Sequence, residues 1–227
     1  MSNRKIHIVI TWQNCVTLNK LDLKSLRYTC ENGTDLLLEL PEGHIWLGGE
    51  ESSKDGTIFN ANIPTEEVFS APQYNGVNGV VHSTKPLIYH GNTISDFSFT
   101  FKEGKIVEYT AKEGYEVLKE LVETDEGSHY LGEVALVDHF SPISQSNQIF
   151  YETLFDENAS CHLAIGASYP TCLKNSDGLS EEELKERSLN HSLTHVDFMI
   201  GHEHMNIKGY TRDGQAVDIM IDGRLQV

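Results

Sequence analysis

The chain has 227 residues, of which 39% are hydrophobic, and its formal net charge at pH 7 is -17. That length suits one large domain or two small ones, and the apolar fraction is sufficient for a buried core. The acidic excess argues against nucleic acids as partners, because phosphates require a basic footprint, and it disfavours binding to anionic membranes.

The four cysteines indicate a reducing compartment. Cys15, Cys30, Cys161 and Cys172 form no CxxC pair. The N-terminus does not resemble a secretory signal peptide, and no window reaches the length of a transmembrane helix. We therefore expect a cytoplasmic protein with free thiols.

The first 25 residues give the weakest structural signal in the chain. Residues 6–12 are mostly apolar and favour one buried strand, and residues 19–25 favour a short helical turn or a loop. No glycine-rich phosphate loop follows the strand. The segment does not resemble a complete small domain.

From Leu26 onward the sequence favours β-strands joined by tight turns. Strand-like runs at residues 26–30 and 35–40 flank Asn32-Gly33, which is a strong hairpin signal. A second hairpin turn is predicted at residues 103–104. Further strands are predicted at residues 77–83, 87–89, 97–101 and 106–110.

Residues 59–69 predict a turn that leads into a short helix or an irregular segment. Pro64 stands where a helix could begin, and Glu66 and Glu67 would occupy its first turn. The plain interpretation of these two acidic residues is therefore a pair of exposed helix-terminal charges.

The second half of the chain combines helices and strands. Residues 114–123 predict an amphipathic helix, residues 144–154 predict a second, and Ser180 begins a third with a capping-box pattern. This order predicts an α+β fold, with β-rich mixed sheets and a few packed helices. Strands are predicted at residues 132–138, 158–166 and 190–201, and a closing hairpin at 217–221 and 224–227.

The predicted strand at residues 190–201 carries a chemical signal. Apolar residues alternate there with His195 and Asp197, so the imidazole and the carboxylate project from the same face. Such a pair on a rigid strand is half of a metal site. A structural hydrogen-bonded pair is the alternative interpretation.

Other ligand-type residues stand where apolar strands begin or turn. Each is costly to bury unless it pairs or binds a cation. Two imidazoles with three carboxylates suit zinc, cobalt or manganese, and their number favours two metals that share a carboxylate. Taken singly, His162 has the alternative interpretation of a core histidine bonded to the backbone, and Tyr169 that of an ordinary turn with a buried ring. The full set is Glu67, Glu133, His162, Tyr169, His195 and Asp197.

Four dispersed blocks stand out, at residues 62–69, 132–137, 162–170 and 190–201. Their order and approximate spacing resemble the signature blocks of the thermophilic aminopeptidase family of metallopeptidases, which includes the aminopeptidase T, aminopeptidase S and PepS-like enzymes. The resemblance extends from about Asn32 to the end of the chain. It implies that residues 26–227 have the fold of the family's C-terminal catalytic part.

The resemblance also implies an activity and its residues. Family members remove N-terminal residues from peptides, bind two divalent metals (zinc, cobalt, or magnesium or manganese) and dimerise. Tyr169 matches a tyrosine at the metal centre, which is an added ligand or stabilises the tetrahedral intermediate. Glu66, beside a ligand, is our choice of general base. The implied metal ligands are Glu67, Glu133, His162, His195 and Asp197.

Two features depart from the family pattern. Members are roughly twice as long and have an N-terminal α/β domain, which we expect to be absent here, with residues 1–25 as a divergent remnant. His202 and His204 add imidazoles that the pattern lacks. We expect them in an exposed loop, and an effect on metal affinity is the alternative.

Three hypotheses follow. The leading one is a metal-dependent aminopeptidase that acts, as a homodimer, on peptides with a free N-terminus. The second is a truncated, inactive metal-binding remnant that serves as a structural or dimerisation module, with bound metal but no turnover. The third is a β-rich binding module without metal, in which His195→Ala would have only ordinary packing effects.

Overall fold

The computed structural model describes residues 3–49, 51–59 and 66–227. Within these ranges it has the predicted α+β composition, and its regular elements are as follows. The helices are α1 (Asn3–Leu21), α2 (Tyr115–Val122), α3 (Pro142–Gln145), α4 (Thr153–Asp156) and α5 (Glu181–Glu186). The first ten strands are β1 (Leu23–Thr29), β2 (Asp35–Glu39), β3 (Glu51–Ser52), β4 (Ile58–Phe59), β5 (Val68–Ser70), β6 (Val77–His82), β7 (Leu87–Tyr89), β8 (Asn92–Ile94), β9 (Ser98–Lys102) and β10 (Lys105–Thr110). The others are β11 (Leu131–Leu136), β12 (His162–Gly166), β13 (His195–Met199), β14 (Asn206–Thr211), β15 (Ala216–Ile221) and β16 (Arg224–Leu225).

The larger sheet is antiparallel and has the strand order β10-β9-β6-β2-β1-β14-β15-β16. Buried and exposed side chains alternate along β2 and β9, as expected where only one face of a sheet packs on the core. The first predicted hairpin is confirmed, because β1 and β2 pair around a turn in which Gly33 has a φ of 98°. The strands predicted between residues 77 and 110 are confirmed as β6, β7, β9 and β10.

The smaller sheet, β13-β12-β11-β5, carries the predicted ligand residues. Every residue of β11 and β12 is buried, including Glu133 and His162. Strands that are covered on both faces are normally apolar throughout. A carboxylate and an imidazole at this depth therefore require pairing or a bound cation.

The two sheets share one apolar core. Phe198 of β13 packs against Phe97 and Phe99 beside and within β9, with ring-centroid distances of 5.9 and 5.1 Å. The predicted amphipathic helix is confirmed as α2, and it buries Leu118 and Leu121 in the same core. This packing fixes the smaller sheet against the larger one.

The N-terminal prediction is wrong, because α1 occupies most of the first 25 residues. The strand predicted at residues 6–12 and the turn predicted at 19–25 are replaced by this helix and the start of β1. Within residues 10–21 of this helix, the buried side chains are Thr11, Cys15 and Leu18, which have helical spacing. The apolar run that precedes them obscured that period, as short apolar runs do.

Helix α1 is joined to the rest of the molecule by the Asn19 amide. This side chain donates to the carbonyl of Trp46 and accepts from its N–H, both at 2.9 Å. Among the described residues, no helix has both the length and the apolar character needed to cross a bilayer. The four cysteines are free, as expected.

The helix predicted at residues 144–154 is also wrong. Two single-turn helices, α3 and α4, lie at either side of an irregular segment. Asn147 and Tyr151 have φ angles of 52° and 57°, which interrupt a right-handed helix. Of the expected apolar stripe, Ile149 is half-buried, and Phe150 and Leu154 are exposed.

The turn predicted at residues 59–69 falls partly outside the described residues, including the proposed helix start at Pro64. Glu66 and Glu67 directly precede β5, so their predicted position in the first turn of a helix is wrong. Glu67 is only 8% exposed and lies in the interior rather than on a solvated helix end.

The predicted loop at His202 and His204 is confirmed as a turn, with His204 exposed. It leads into β14, which we did not predict and which pairs with both β1 and β15. Gly209 in β14 lies so close to Leu23 that a Cβ atom there would be 2.8 Å from Leu23 Cδ2. Glycine within a strand weakens the sequence pattern that identifies it.

Local signals in the C-terminal half are confirmed. The Ser180 hydroxyl accepts from the N–H of Glu183, whose carboxylate accepts in return from the N–H of Ser180, which completes the capping box of α5. The closing hairpin joins β15 to β16. The three strands predicted at 132–138, 158–166 and 190–201 are β11, β12 and β13.

We expect Phe99→Ala to lower the free energy of unfolding by about 3–5 kcal/mol, because it opens a cavity where the two sheets meet. Val107→Ala on the neighbouring strand β10 is the control, since Val107 is exposed and should change stability by less than about 0.5 kcal/mol. Urea unfolding followed by fluorescence measures both. Equal effects of the two substitutions would contradict the shared core.

Candidate metal centre

The strand register brings four of the predicted ligands to one face of the smaller sheet. Glu133 of β11 and Asp197 of β13 both lie opposite Ala164 of β12. His162 and Gly166 lie two residues to either side of Ala164, and therefore on the same face. Gly166 is opposite His195.

Small residues on β12 leave room for this cluster. Ala164 contributes only a methyl group, and Gly166 contributes no side chain at the position opposite His195. Gly166 has a φ of 106°, and a Cβ atom there would lie 2.1 Å from the carbonyl oxygen of Thr194. The fifth predicted ligand, Glu67, enters the cluster from the residue before β5.

The ligand atoms form two overlapping groups of three. His162 Nε2 lies 3.2 Å from Glu67 Oε2 and 3.4 Å from Glu133 Oε1. His195 Nε2 lies 3.7 Å from Glu133 Oε2 and 3.5 Å from Asp197 Oδ1. In each group the ligand atoms lie within 4.8 Å of one another. Glu133 belongs to both groups and directs one oxygen to each imidazole.

The two imidazoles are oriented by backbone carbonyls. His162 Nδ1 lies 3.0 Å from the carbonyl oxygen of Ser160, and His195 Nδ1 lies 2.7 Å from that of Ala167. A carbonyl only accepts, so this network assigns the hydrogen to Nδ1 in both rings. The lone pair of each neutral imidazole is therefore on Nε2, which faces the carboxylates, as in histidines that bind metals.

The cluster is buried and its polar atoms are incompletely satisfied. His162 is fully buried, and Glu67, Glu133 and Asp197 are each at most 8% exposed. Three atoms of the cluster make no hydrogen bond of good geometry with any described residue: Glu67 Oε2, His162 Nε2 and Asp197 Oδ1. Buried polar atoms without partners are rare and costly. Nitrogen and carboxylate donors that converge in this way fit a divalent cation.

Protons compensate the carboxylates in the metal-free protein. Burial lowers the pKa of His195, but Asp197 and Glu133 have the larger and opposite effect, so that the pKa is raised to about 9. The pKa of His162 is likewise raised well above its usual value, since Glu133 and Glu67 outweigh the effect of burial. Burial, and to a lesser extent Asp197, raises the pKa of Glu133. A cation that binds here must displace these protons.

Tyr169 lies at the open side of the cluster. It is 48% exposed, and its ring lies 4.8 Å from the ring of His195 and 6.2 Å from that of Phe69. Burial and the nearby Glu133 and Asp197 raise its pKa to about 12. Its hydroxyl therefore remains protonated at neutral pH and can donate a hydrogen bond.

Glu66 is positioned through its backbone. Its N–H donates to Asn158 Oδ1 at 2.8 Å, and neither group of three ligand atoms includes its carboxylate. Asn158 is fully buried and also donates from Nδ2 to the carbonyl of Leu154. The segment before β12 is therefore tied to the segment that carries Glu67.

Glu157 also belongs to this site, although we did not predict it from the sequence. It lies in a short 3₁₀ turn, Glu157–Ala159, that precedes β12. Burial, together with Glu67 and Asp197, raises the pKa of its carboxyl to about 9. The sequence feature that could have identified Glu157 is its position, as an acidic residue just upstream of the strand that begins with His162.

Known proteins resemble the chain over most of its length. The model of the thermophilic metalloprotease family matches residues 7–225. Aminopeptidase 2 of Geobacillus stearothermophilus is 54% identical over 206 residues, which are 91% of this chain and 50% of that protein. Aminopeptidase AmpS of Bacillus subtilis (strain 168) is 56% identical with the same coverage.

A solved structure supports the same assignment. Wild-type AmpT from Thermus thermophilus superposes with a TM-score of 0.94 at 40% identity, and the match covers 100% of this chain and 56% of that one. The chain therefore spans about half the length of these relatives. The resemblance noted in the sequence is confirmed: the chain belongs to the thermophilic metalloprotease family.

Proposed function

We propose that the chain is the catalytic part of a metal-dependent aminopeptidase that releases N-terminal residues from peptides with the help of two divalent metal ions. The observation that carries this proposal is the position of Glu133, whose two oxygens face different imidazoles. A carboxylate so placed suits a bridge between two cations, an arrangement that hydrolytic enzymes use to activate water.

Each ion would have three protein ligands. One would bind Glu67, Glu133 and His162, and the other would bind Glu133, His195 and Asp197. Three protein ligands leave a position for water or substrate, as in catalytic rather than structural sites. The imidazoles favour zinc, cobalt or manganese over magnesium, which prefers oxygen ligands.

The chemistry divides between the ions and the chain. When bound, such ions ionise a water near neutral pH and polarise the scissile carbonyl. The Tyr169 hydroxyl, protonated and at the open side of the cluster, would donate to the oxygen that gains negative charge in the transition state. Glu66 is the proposed general base, which would take a proton from the water and pass it to the leaving amine.

The carboxylates also account for the exopeptidase specificity that we propose. A free N-terminal amine is positively charged, and the acidic side chains around the cluster would attract it. Glu157 lies outside the two groups of ligand atoms and near Glu67 and Asp197, and it is our candidate for this contact. A peptide without a free N-terminal amine would not make this contact.

The family resemblance supports a homodimer with residues 26–227 as the catalytic domain, and the free cysteines support a location in the cytoplasm. The chain spans about half the length of these relatives. The second candidate function is a structural metal-binding module without turnover, which the two groups of ligand residues would also support. An activity assay separates the two candidates.

Removal of metal tests the proposal. We expect a chelator to abolish cleavage of aminoacyl chromogenic substrates, and added zinc or cobalt to restore it. His195→Ala should lower kcat/KM by at least about 100-fold, because it removes a ligand. His204→Ala is the matched control, since that histidine is exposed in the turn before β14. Cleavage that persists in chelator would contradict the mechanism, and metal binding without cleavage would favour the structural module.

Metal affinity should depend on pH. Below the His195 pKa of about 9 the metal-free site holds protons, and a ligand imidazole must be neutral. Affinity should therefore rise as pH increases towards about 9, by up to about tenfold per pH unit for each proton released. Zinc titration against a competing indicator, with calorimetry in two buffers to count released protons, measures this. Affinity that is constant over this range would contradict the proposed ligands.

Tyr169→Phe should lower kcat by about 100- to 1,000-fold and leave the bound metal unchanged, because the hydroxyl acts on the transition state. Tyr151→Phe is the control, since Tyr151 is 70% exposed and lies in the irregular segment between α3 and α4. Steady-state kinetics and elemental analysis measure the two effects. A loss of metal in Tyr169→Phe would instead make Tyr169 a ligand.

A further inference from the structure

Asp125, in the turn that follows α2, binds the loop of residues 190–194, which we call the entry loop because it leads into β13. Its Oδ1 accepts from the Ser192 hydroxyl at 2.8 Å and from the Ser128 N–H at 2.7 Å. Its Oδ2 accepts from the N–H of Leu193 at 2.6 Å. One carboxylate therefore joins the turn before β11 to the entry loop.

Asn190 provides a second connection at the same place. Its Nδ2 donates to the carbonyl of Gly127 at 2.8 Å and to that of Gly166 at 2.6 Å. These carbonyls belong to the chain before β11 and to the end of β12. Gly127 also lies so close to the entry loop that a Cβ atom there would be 1.9 Å from the carbonyl oxygen of His191. The ends of three neighbouring strands thus meet at one point.

The entry loop in turn positions His195. The carbonyl of Thr194 accepts from the N–H of Ala167 at 2.8 Å, and the carbonyl of Ala167 lies 2.7 Å from His195 Nδ1. A shift of the entry loop would therefore move the carbonyl that orients this imidazole, and with it Nε2. His162 is oriented instead by Ser160, within its own segment.

We infer that Asp125 is a positioning residue for the cation bound by Glu133, His195 and Asp197, and that it acts through the entry loop. It has little effect on the cation bound by Glu67, Glu133 and His162. This inference rests on the proposed function, because it assigns a selective role to one of the two proposed sites. Positioning groups outside the ligand shell commonly change metal affinity by about 10- to 100-fold.

The position requires a carboxylate rather than an amide. Its contacts come from two N–H groups and a hydroxyl that donates, and an ionised aspartate only accepts. Burial raises the pKa of Asp125, but the hydrogen bonds from Leu193 and Ser192 outweigh burial and lower the pKa below its usual value. The carboxyl is therefore ionised at neutral pH. Asparagine has the same shape but directs an amide NH₂ at one of these donors.

Titration of the metal-free protein with cobalt tests the inference. The parent protein and the control Glu126→Gln, an exposed acid in the same turn, should bind two ions. Asp125→Asn should keep one ion with affinity within about threefold of the parent value and bind the other about 10- to 100-fold more weakly. Visible absorption of cobalt and calorimetry measure the two sites separately.

Imidazole signals in the metal-free protein provide a readout that does not depend on metal. In spectra of nitrogen-labelled histidine, Asp125→Asn should shift the His195 ring resonances and leave those of His162 unchanged. Ser192→Ala, which removes one of the hydrogen bonds to Asp125, should shift the same signals to a smaller extent. It also serves as the test if Asp125→Asn does not fold.

These measurements distinguish a failure of the proposed function from a failure of the inference about Asp125. A parent protein that binds no cobalt would contradict the proposed function, while the His195 signals would still report whether Asp125 positions the ring. Unchanged affinity for both ions in a folded Asp125→Asn protein, with unchanged His195 signals, would overturn the inference alone. Equal weakening of both ions would also overturn it, since that result indicates a general structural role.

Discussion

The main constraint on this structure is that four titratable side chains are buried at the smaller sheet and their charges must be compensated. Glu67, Glu133, His162 and Asp197 are buried together, and burial of uncompensated carboxylates is among the most unfavourable changes in folding. In the metal-free protein, protons raise the charge of the cluster towards neutrality. Divalent cations would do so more completely and would also satisfy the atoms that lack hydrogen bonds.

Packing between the two sheets holds these side chains in fixed positions. The apolar core holds the smaller sheet against the larger one through Phe99 and Phe198. Ala164 and Gly166 make space on the face that carries the ligands. Backbone carbonyls then orient both imidazoles, so that Nε2 of each ring faces the carboxylates before any ion binds. Stability and metal chemistry are therefore properties of the same few strands.

The sequence predicted those features whose signals are local. The Asn32-Gly33 turn, the capping box at Ser180 and the His195–Asp197 alternation each specify a conformation within a few residues. The positions of the distant ligand residues, where apolar strands begin or turn, suggested one set, and the family resemblance gave that set its chemistry. Such a resemblance names residues that match a pattern, and it does not supply their neighbours. Glu157 was missed for this reason, since only the folded chain brings it to Glu67 and Asp197. The helix α1 was missed because a short apolar run obscured the helical spacing of Thr11, Cys15 and Leu18.

Glu133 would be a ligand to both cations, and the metal content of each chain is the decisive measurement. We expect two zinc ions per chain, by elemental analysis, after loading and removal of unbound metal. We also expect Glu133→Ala, which takes a ligand from both groups, to lose both ions while Glu126→Gln retains them. A parent chain without bound zinc, or a Glu133→Ala chain that still holds two ions, would contradict this role of Glu133.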